Sequence, residues 1–121
     1  MSKIYEDVKQ TTPDEVIDSI RSNDPKRICF SLVEGAYTLD DKRWVQDQCL
    51  LLMSHENQYV RQTCATCLGH IARIHGTLDL RRVIPALEFM LHHDPEVYGR
   101  GCAEDTLDGI SQVWKPIQDP S

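Results

Sequence analysis

Cys64, Cys67 and His70 form the pattern in this chain that comes closest to a metal or redox site. A closed structural zinc site takes four ligands, usually from two separated pairs, and the sequence has no second Cys-x-x-Cys pair. A redox pair normally lies at the start of a helix, where the dipole lowers the thiol pKa, whereas this pair falls in the middle of a predicted helix. We therefore interpret Cys64 and Cys67 as core residues and expect no cofactor, with metal binding and redox chemistry as the alternatives.

The remaining histidines fall at the ends of predicted helices. His55 ends the third helix and His92-His93 ends the fifth, and an imidazole suits the negative end of a helix. No Ser or carboxylate stands at the spacing of a catalytic triad, and there is no Gly-rich phosphate loop or nucleophile elbow. The sequence therefore predicts a protein without enzymatic activity.

The acidic residues carry a more specific signal. The chain holds 13 basic and 19 acidic residues, a formal net charge of −6, which argues against nucleic-acid binding. Glu104, Asp105 and Asp108 cluster on the last predicted helix, away from its apolar stripe. A solvated helix face is the plain interpretation of this cluster. The alternative is a contact with a basic protein partner, which would raise the rate and specificity of association.

Aromatic residues are few, at 7% of the chain, and are therefore considered individually as interface anchors. Tyr59 and Tyr98 fall near helix starts at matching positions and are predicted at the rim of a binding surface. Tyr37 and Trp114 are further candidates, whereas Trp44 is predicted in the core.

Apolar residues recur at helical spacing throughout the chain, and no segment alternates as a strand would. Residues 1–11 are predicted as a frayed or docking arm, 12–115 as one helical domain and 116–121 as a polar tail. Inside the fifth helix, Pro85 predicts a kink. The predicted helices run from Thr12 to Asn23, from Asp24 to Gly35 or Thr38, from Asp40 or Asp41 to Met53, from Asn57 to Gly76, from Leu80 to His92, and from Asp94 to before Pro116.

The fourth predicted helix is repeated in the sixth. A shift of 39 residues superimposes identical residues at four positions: Tyr59 on Tyr98, Arg61 on Arg100, Leu68 on Leu107 and Ile71 on Ile110. A weaker copy of the fourth helix lies upstream at a shift of 32. A period near 40 residues is typical of helical repeat arrays. Gly99 and Gly101 break the match, which predicts either a late helix start or close packing against another group.

The run from Val60-Arg61 through Leu68-Gly69 to Ile71 resembles the second helix of a HEAT repeat. The segments Val83–Leu87 and Asp94–Val97 are similar to the end of a first helix and the start of a second one in that family, so the resemblance covers residues 41–113. Tyr98 departs from the pattern, which expects Arg after the Val. The resemblance implies an all-α fold: a short right-handed superhelical stack of about three antiparallel helix hairpins, whose second helices line a concave binding surface.

A small, acidic, single-domain chain of this kind also resembles some bacterial immunity proteins. Those proteins bind and block a cognate toxin, often a basic nuclease, which would be the partner implied here. One alternative is an adaptor or scaffold domain of a larger assembly. Another is a HEAT-like nucleic-acid enzyme such as the alkylpurine DNA glycosylases, but these are longer and use a basic concave face.

The N-terminal residues lack the apolar core of a signal peptide, and no apolar run is long enough to span a bilayer. The five cysteines are an odd number, which favours reduced thiols. We therefore expect a cytoplasmic protein that does not contact a membrane.

Overall fold

The computed structural model describes the backbone of residues 8–75 and 78–118, and side chains within 8–74 and 78–112. These residues form six helices and no strand: α1 (Pro13–Ser22), α2 (Pro25–Thr38), α3 (Lys42–Leu52), α4 (Gln58–His75), α5 (Leu80–His93) and α6 (Val97–Gln118). The all-α prediction is therefore confirmed for this part of the chain. Gly76, the predicted end of the fourth helix, and the side chain of Trp114 lie outside the described residues.

Short polar side chains start the helices, as the sequence predicts. The Thr12 hydroxyl accepts the N–H of Glu15 at 3.2 Å, and the Glu15 carboxylate accepts the N–H of Thr12 at 3.2 Å, which forms a capping box. Asp24, Asp41 and Asn57 each accept at least one backbone N–H of the helix that follows. The choice between Asp40 and Asp41 as the cap of α3 is thereby settled for Asp41.

Two prolines are tolerated within helices. α5 is continuous from Leu80 to His93 although Pro85 lies inside it, where the exposed ring displaces no core contact. α6 continues to Gln118, so the prediction that it ends before Pro116 is wrong. Because proline lacks an N–H, Pro116 removes one helical hydrogen bond, and near a helix end this does not stop the backbone from continuing.

α4 is the central helix. It packs against α2, α3 and α6, while α1 packs on α2 and α5 on α6. Its apolar stripe is buried at Val60, Cys64, Leu68 and Ile71, which all have 0% exposed surface, whereas Ile74, predicted as the last residue of the stripe, is 57% exposed. Side chains from α1, α2, α3, α5 and α6 join this stripe in one hydrophobic core. Burial of α4 against its neighbours therefore contributes to the stability of the fold.

The 39-residue repeat also includes matching hydrogen bonds from side chain to backbone. The Nη1 of Arg61 donates to the carbonyl of His55 at 2.9 Å, and the Nη1 of Arg100 donates to the carbonyl of Asp94 at 2.7 Å. Both arginines thus bond to the residue six positions earlier. This shared bond makes α4 and α6 structural counterparts as well as similar sequences.

Close packing against Asp94 explains why glycine interrupts this repeat at position 99. α6 begins at Val97, so the helix does not start late. A Cβ atom at Gly99 would lie 2.4 Å from Oδ1 of Asp94, whereas one at Gly101 would meet nothing within 4 Å. Close packing against Asp94 therefore requires glycine at position 99 and not at position 101.

Candidate functional site

The cysteine pair of α4 belongs to a cluster of three buried thiols. Cys49 of α3 lies close to Cys64 and Cys67 of α4, and all three thiols are buried. The interaction with Cys64 contributes most to raising the pKa of the Cys49 thiol well above its usual value; Cys67 acts in the opposite direction, and burial adds to the rise. The interaction with Cys49 and burial also raise the pKa of Cys67. Both thiols are therefore protonated near neutral pH, unlike the thiolates that attack substrates or ligate metals.

His70, the third member of the predicted metal group, is 6% exposed and stacks on Tyr37 of α2. The ring centroids lie 3.9 Å apart and the planes are inclined by 13°. Among the residues that the structure describes, no group of three or more His, Cys, Asp or Glu side chains is arranged to hold a metal ion. The geometry thus assigns Cys64 and Cys67 to the core and His70 to the packing between α2 and α4.

Native alkylation should separate the five cysteines into two classes. With excess iodoacetamide, the partly exposed Cys29 and Cys102 should react at least about tenfold faster than Cys49, Cys64 and Cys67, because a buried thiol reacts only after local opening. Peptide mass spectrometry over time gives the five rates, and labelling in denaturant is the control that removes the difference. Equal rates in the folded protein would contradict the buried thiol cluster.

An apolar cleft of about 450 Å³ lies between α2 and the start of α4. It is lined by Pro25, Lys26, Cys29, Phe30, Val33 and Tyr59. Phe30 and Tyr59 are 61% and 62% exposed, although both carry large aromatic rings. Exposed aromatic side chains that share one concave patch are typical of a surface that binds a partner.

A second cleft of about 280 Å³, more polar than the first and called here the polar cleft, continues from it along α2, α4 and α6. Val33 lines both clefts, and the polar cleft adds Tyr37, His70, Arg73 and Asp105 among its walls. The thiol of Cys102 also lines it and bonds to the side chain of Thr66. We refer to the two clefts together as the second-helix groove, since its walls come from the three even-numbered helices.

The second-helix groove contains some of the predicted binding residues and leaves out others. Tyr59 lines its apolar cleft, and Asp105 lines its polar cleft. Glu104 and Asp108 are exposed on α6 but line neither cleft, and Tyr98 is 76% exposed outside both. The structure thus brings Tyr59 and Asp105 to one surface, and all five residues stay predicted partner contacts.

Sequence reasoning missed Phe30 and Arg73. Phe30 follows the fully buried Ile28 by two positions on α2. Residues at this spacing lie on opposite sides of a helix, so Phe30 falls outside the inward stripe. An aromatic residue off the apolar stripe of an amphipathic helix is the signal that could have identified it. Arg73 has no comparable signal, because a single basic residue on an exposed helix face is common.

The histidine at the end of α3 has a structural role. The Nδ1 of His55 accepts the backbone N–H of Asn57 at 3.0 Å, which leaves the proton on Nε2. That nitrogen lies 3.0 Å from Oδ1 of Asn23 and donates to it. His55 therefore connects the end of α1 to the start of α4. Because α3 ends at Leu52 and both ring nitrogens bond elsewhere, the predicted role of His55 at the negative end of α3 is wrong.

A buried ion pair joins Arg61 of α4 to Asp94, which lies between α5 and α6. The Nε of Arg61 donates to Oδ2 of Asp94 at 2.8 Å, and its Nη2 donates to Oδ1 at 3.3 Å. The two side chains are only 11% and 2% exposed. Asp94 also accepts the N–H of Glu96 at 2.9 Å, so both carboxylate oxygens have partners. This arrangement is a structural ion pair that fixes the junction of α5 and α6 on α4.

Opposing effects act on the pKa of Asp94. Burial raises it, but the hydrogen bonds from Arg61 and Glu96 and the charges of Arg61 and Arg100 together outweigh burial and hold the pKa below its ordinary value. The carboxylate is thus ionised at neutral pH and favours the folded state.

Comparison with known proteins agrees with this architecture over part of the chain. Residues 45–75, which comprise most of α3 and all of α4, match the family model of the HEAT repeat. Neither the curated proteins nor the solved structures gave a match. Within the described residues, no helix has both the length and the apolar character that crossing a membrane requires. The HEAT repeat match and the all-helical structure together support a HEAT-like helical repeat protein.

Proposed function

We propose that this chain is a non-enzymatic protein-binding module whose second-helix groove receives a segment of a partner protein. The HEAT repeat match supports a role in protein–protein interaction or as a scaffold. The proposed arrangement is a short right-handed superhelical stack of three helix hairpins, (α1, α2), (α3, α4) and (α5, α6), and the pairwise helix contacts support it. In such a stack the second helices share one surface.

The observation that carries the proposal is the apolar cleft with Phe30 and Tyr59 exposed on opposite helices. Aromatic side chains that can be desolvated in a concave patch contribute most to many interfaces. The polar cleft then places Arg73 and Asp105 beyond Val33 in the same groove. An apolar anchoring site with charged groups at one end would fix both the position and the direction of a bound segment.

The chemistry of the described side chains supports binding rather than catalysis. Two of the three clustered thiols are held protonated, His70 stacks on Tyr37, and His55 is engaged in helix capping. A net charge of −6 argues against the nucleic-acid enzyme alternative. Five free cysteines favour a reducing compartment, so we place this function in the cytoplasm.

A toxin-neutralising role is the narrower candidate. One observation supports it: Glu104, Asp105 and Asp108 are all exposed and available to a basic partner. Reversing all three charges should weaken binding to a co-encoded basic toxin and reduce its salt dependence. Unchanged affinity and salt dependence would rule out this electrostatic contact and leave the adaptor or scaffold role.

The groove is tested by removing its aromatic side chains. Phe30→Ala and Tyr59→Ala should each weaken partner binding by about 2 kcal/mol, or roughly thirtyfold, because each truncates an anchor in the apolar cleft. Pull-down from the native source with mass spectrometry identifies the partner, and calorimetric titration of that partner measures its affinity.

Tyr98→Ala is the matched control for Tyr59→Ala. The two tyrosines are repeat counterparts and both are exposed, but only Tyr59 lines the groove. An interface confined to the groove leaves out Tyr98, although the sequence predicted it as a partner contact, so under this proposal the Tyr98 variant should bind as wild type does. Undiminished binding by both the Phe30 and the Tyr59 variants would place the interface elsewhere on the protein.

A further inference from the structure

Two small residues on α4 allow α6 to pack closely against it. The hydroxyl of Thr106 donates to the carbonyl of Ala65 at 3.0 Å, and this bond is buried. A Cβ atom at Gly69 would lie 3.3 Å from two atoms of the Thr106 side chain. Ala65 and Gly69 therefore mark the strip of α4 on which the following hairpin rests.

The counterparts of these residues on α6 are acidic. The 39-residue shift that superimposes Arg61 on Arg100 places Ala65 on Glu104 and Gly69 on Asp108. Both acids are exposed. They stand four residues apart on one helix face, where two like charges repel each other. A helix packed on α6 as α6 packs on α4 would bury both carboxylates without partners, which is strongly unfavourable.

Arg100 and its counterpart Arg61 also differ in their partners. It repeats the bond of Arg61 to the carbonyl six residues earlier. Arg61 also donates two hydrogen bonds to the carboxylate of Asp94, which belongs to the following hairpin. Arg100 lies near enough to Asp94 for its charge to act on that carboxylate, but within the described part of the chain no carboxylate comes within ion-pair distance of Arg100. The position that would accept a further hairpin is thus present but carries charges in place of a packing surface.

We infer that Arg100, Glu104 and Asp108 form a capping surface that excludes a further stacked hairpin, including one from a second copy of this chain. Terminal units of helical repeat stacks need such polar outer faces, because an uncovered packing surface would associate with its like. The three acids of α6 then belong to two different surfaces. Asp105 is the counterpart of Thr66 and lines the groove with it, whereas Glu104 and Asp108 face outward from the stack.

The test is to restore small side chains on the capping surface and measure self-association. In Glu104→Ala/Asp108→Ala, the dissociation constant for self-association should fall at least about tenfold below that of wild type, since like-charge contact no longer opposes stacking. Sedimentation velocity over a concentration series measures this constant. Loss of a repelling pair favours the helix, so circular dichroism should show helix content and a melting temperature at or above wild type.

A control variant with the same net charge distinguishes the effect of where the acids lie from the effect of net charge on self-association. Glu56→Ala/Glu88→Ala removes two exposed acids outside α6 and changes the net charge from −6 to −4, as the capping variant does. This control should sediment as wild type does. The inference is overturned if the capping variant shows the wild-type mass at every concentration, or if the control associates equally strongly.

Discussion

Replacing Arg61 with leucine should lower the free energy of unfolding by about 3–5 kcal/mol, the largest loss that we expect from a single polar side chain here. The reason lies in what the variant leaves behind. Asp94 has 2% side-chain exposure and would keep its negative charge without the bidentate partner. A buried carboxylate that loses its counter-ion cannot recover hydration without local opening. Urea denaturation followed by circular dichroism measures the loss.

Arg82→Leu provides the matched control, because Arg82 also forms a carboxylate contact at 2.8 Å, with Asp47. Those two side chains are 49% and 39% exposed, so water already screens the pair. We expect a change of about 0–1 kcal/mol. Losses of equal size in the two variants would show that burial does not set the importance of the Arg61–Asp94 pair.

The pH dependence of this difference has a definite sign. Because the folded-state pKa of Asp94 is lowered from 3.8, its contribution is present above that value and is lost as the pH falls through the folded-state pKa. In Arg61→Leu, the Asp94 pKa should rise, because burial is then opposed only by the N–H of Glu96 and the charge of Arg100. The stability gap between wild type and variant should therefore narrow as the pH falls from the folded-state Asp94 pKa of the variant to the lower one of wild type. A gap that stays constant between pH 7 and pH 3 would contradict the assignment to Asp94.

Local features of the fold could be predicted from the sequence. Thr12, Asp24 and Asn57 are short polar residues placed before amphipathic segments, and each caps its helix because capping needs only residues a few positions apart. The apolar stripe of α4 follows from helical periodicity in the same way. The predicted end of α6 before Pro116 was wrong. A proline in the sequence shows that one backbone N–H donor is missing, but not whether packing elsewhere compensates for the lost hydrogen bond.

Contacts between helices could not be predicted. Arg61 and Asp94 are 33 residues apart, and each is a plausible exposed residue when its helix is considered alone. Cys49 joins Cys64 and Cys67 only because α3 packs on α4, so the sequence suggested a pair where the structure has three thiols. The second-helix groove depends likewise on the spacing of α2, α4 and α6. Tyr59 and Asp105 were predicted individually, but no local pattern places them on one surface.

The two glycines at the start of α6 should respond in opposite directions to the same substitution. Gly99→Ala would place a methyl group 2.4 Å from Oδ1 of Asp94, and that carboxylate cannot retreat because Arg61 and the N–H of Glu96 hold it. We expect a loss of about 1–3 kcal/mol from overpacking. Gly101→Ala meets nothing within 4 Å and should gain about 0.5–1 kcal/mol, since alanine favours a helix more than glycine does.

Urea denaturation of both glycine variants provides the measurement, and Gly99→Ala/Arg61→Leu provides its most informative control. Without the arginine, the Asp94 side chain is free to move away from the new methyl group. The cost of Gly99→Ala should then be smaller in the Arg61→Leu background than in wild type, a coupling of the size seen between residues that share a partner, about 0.5–3 kcal/mol. Additive losses would mean that Gly99 is required for a reason other than the fixed position of Asp94. A gain in stability from Gly99→Ala alone would remove the close packing between α6 and Asp94 as the explanation for this glycine.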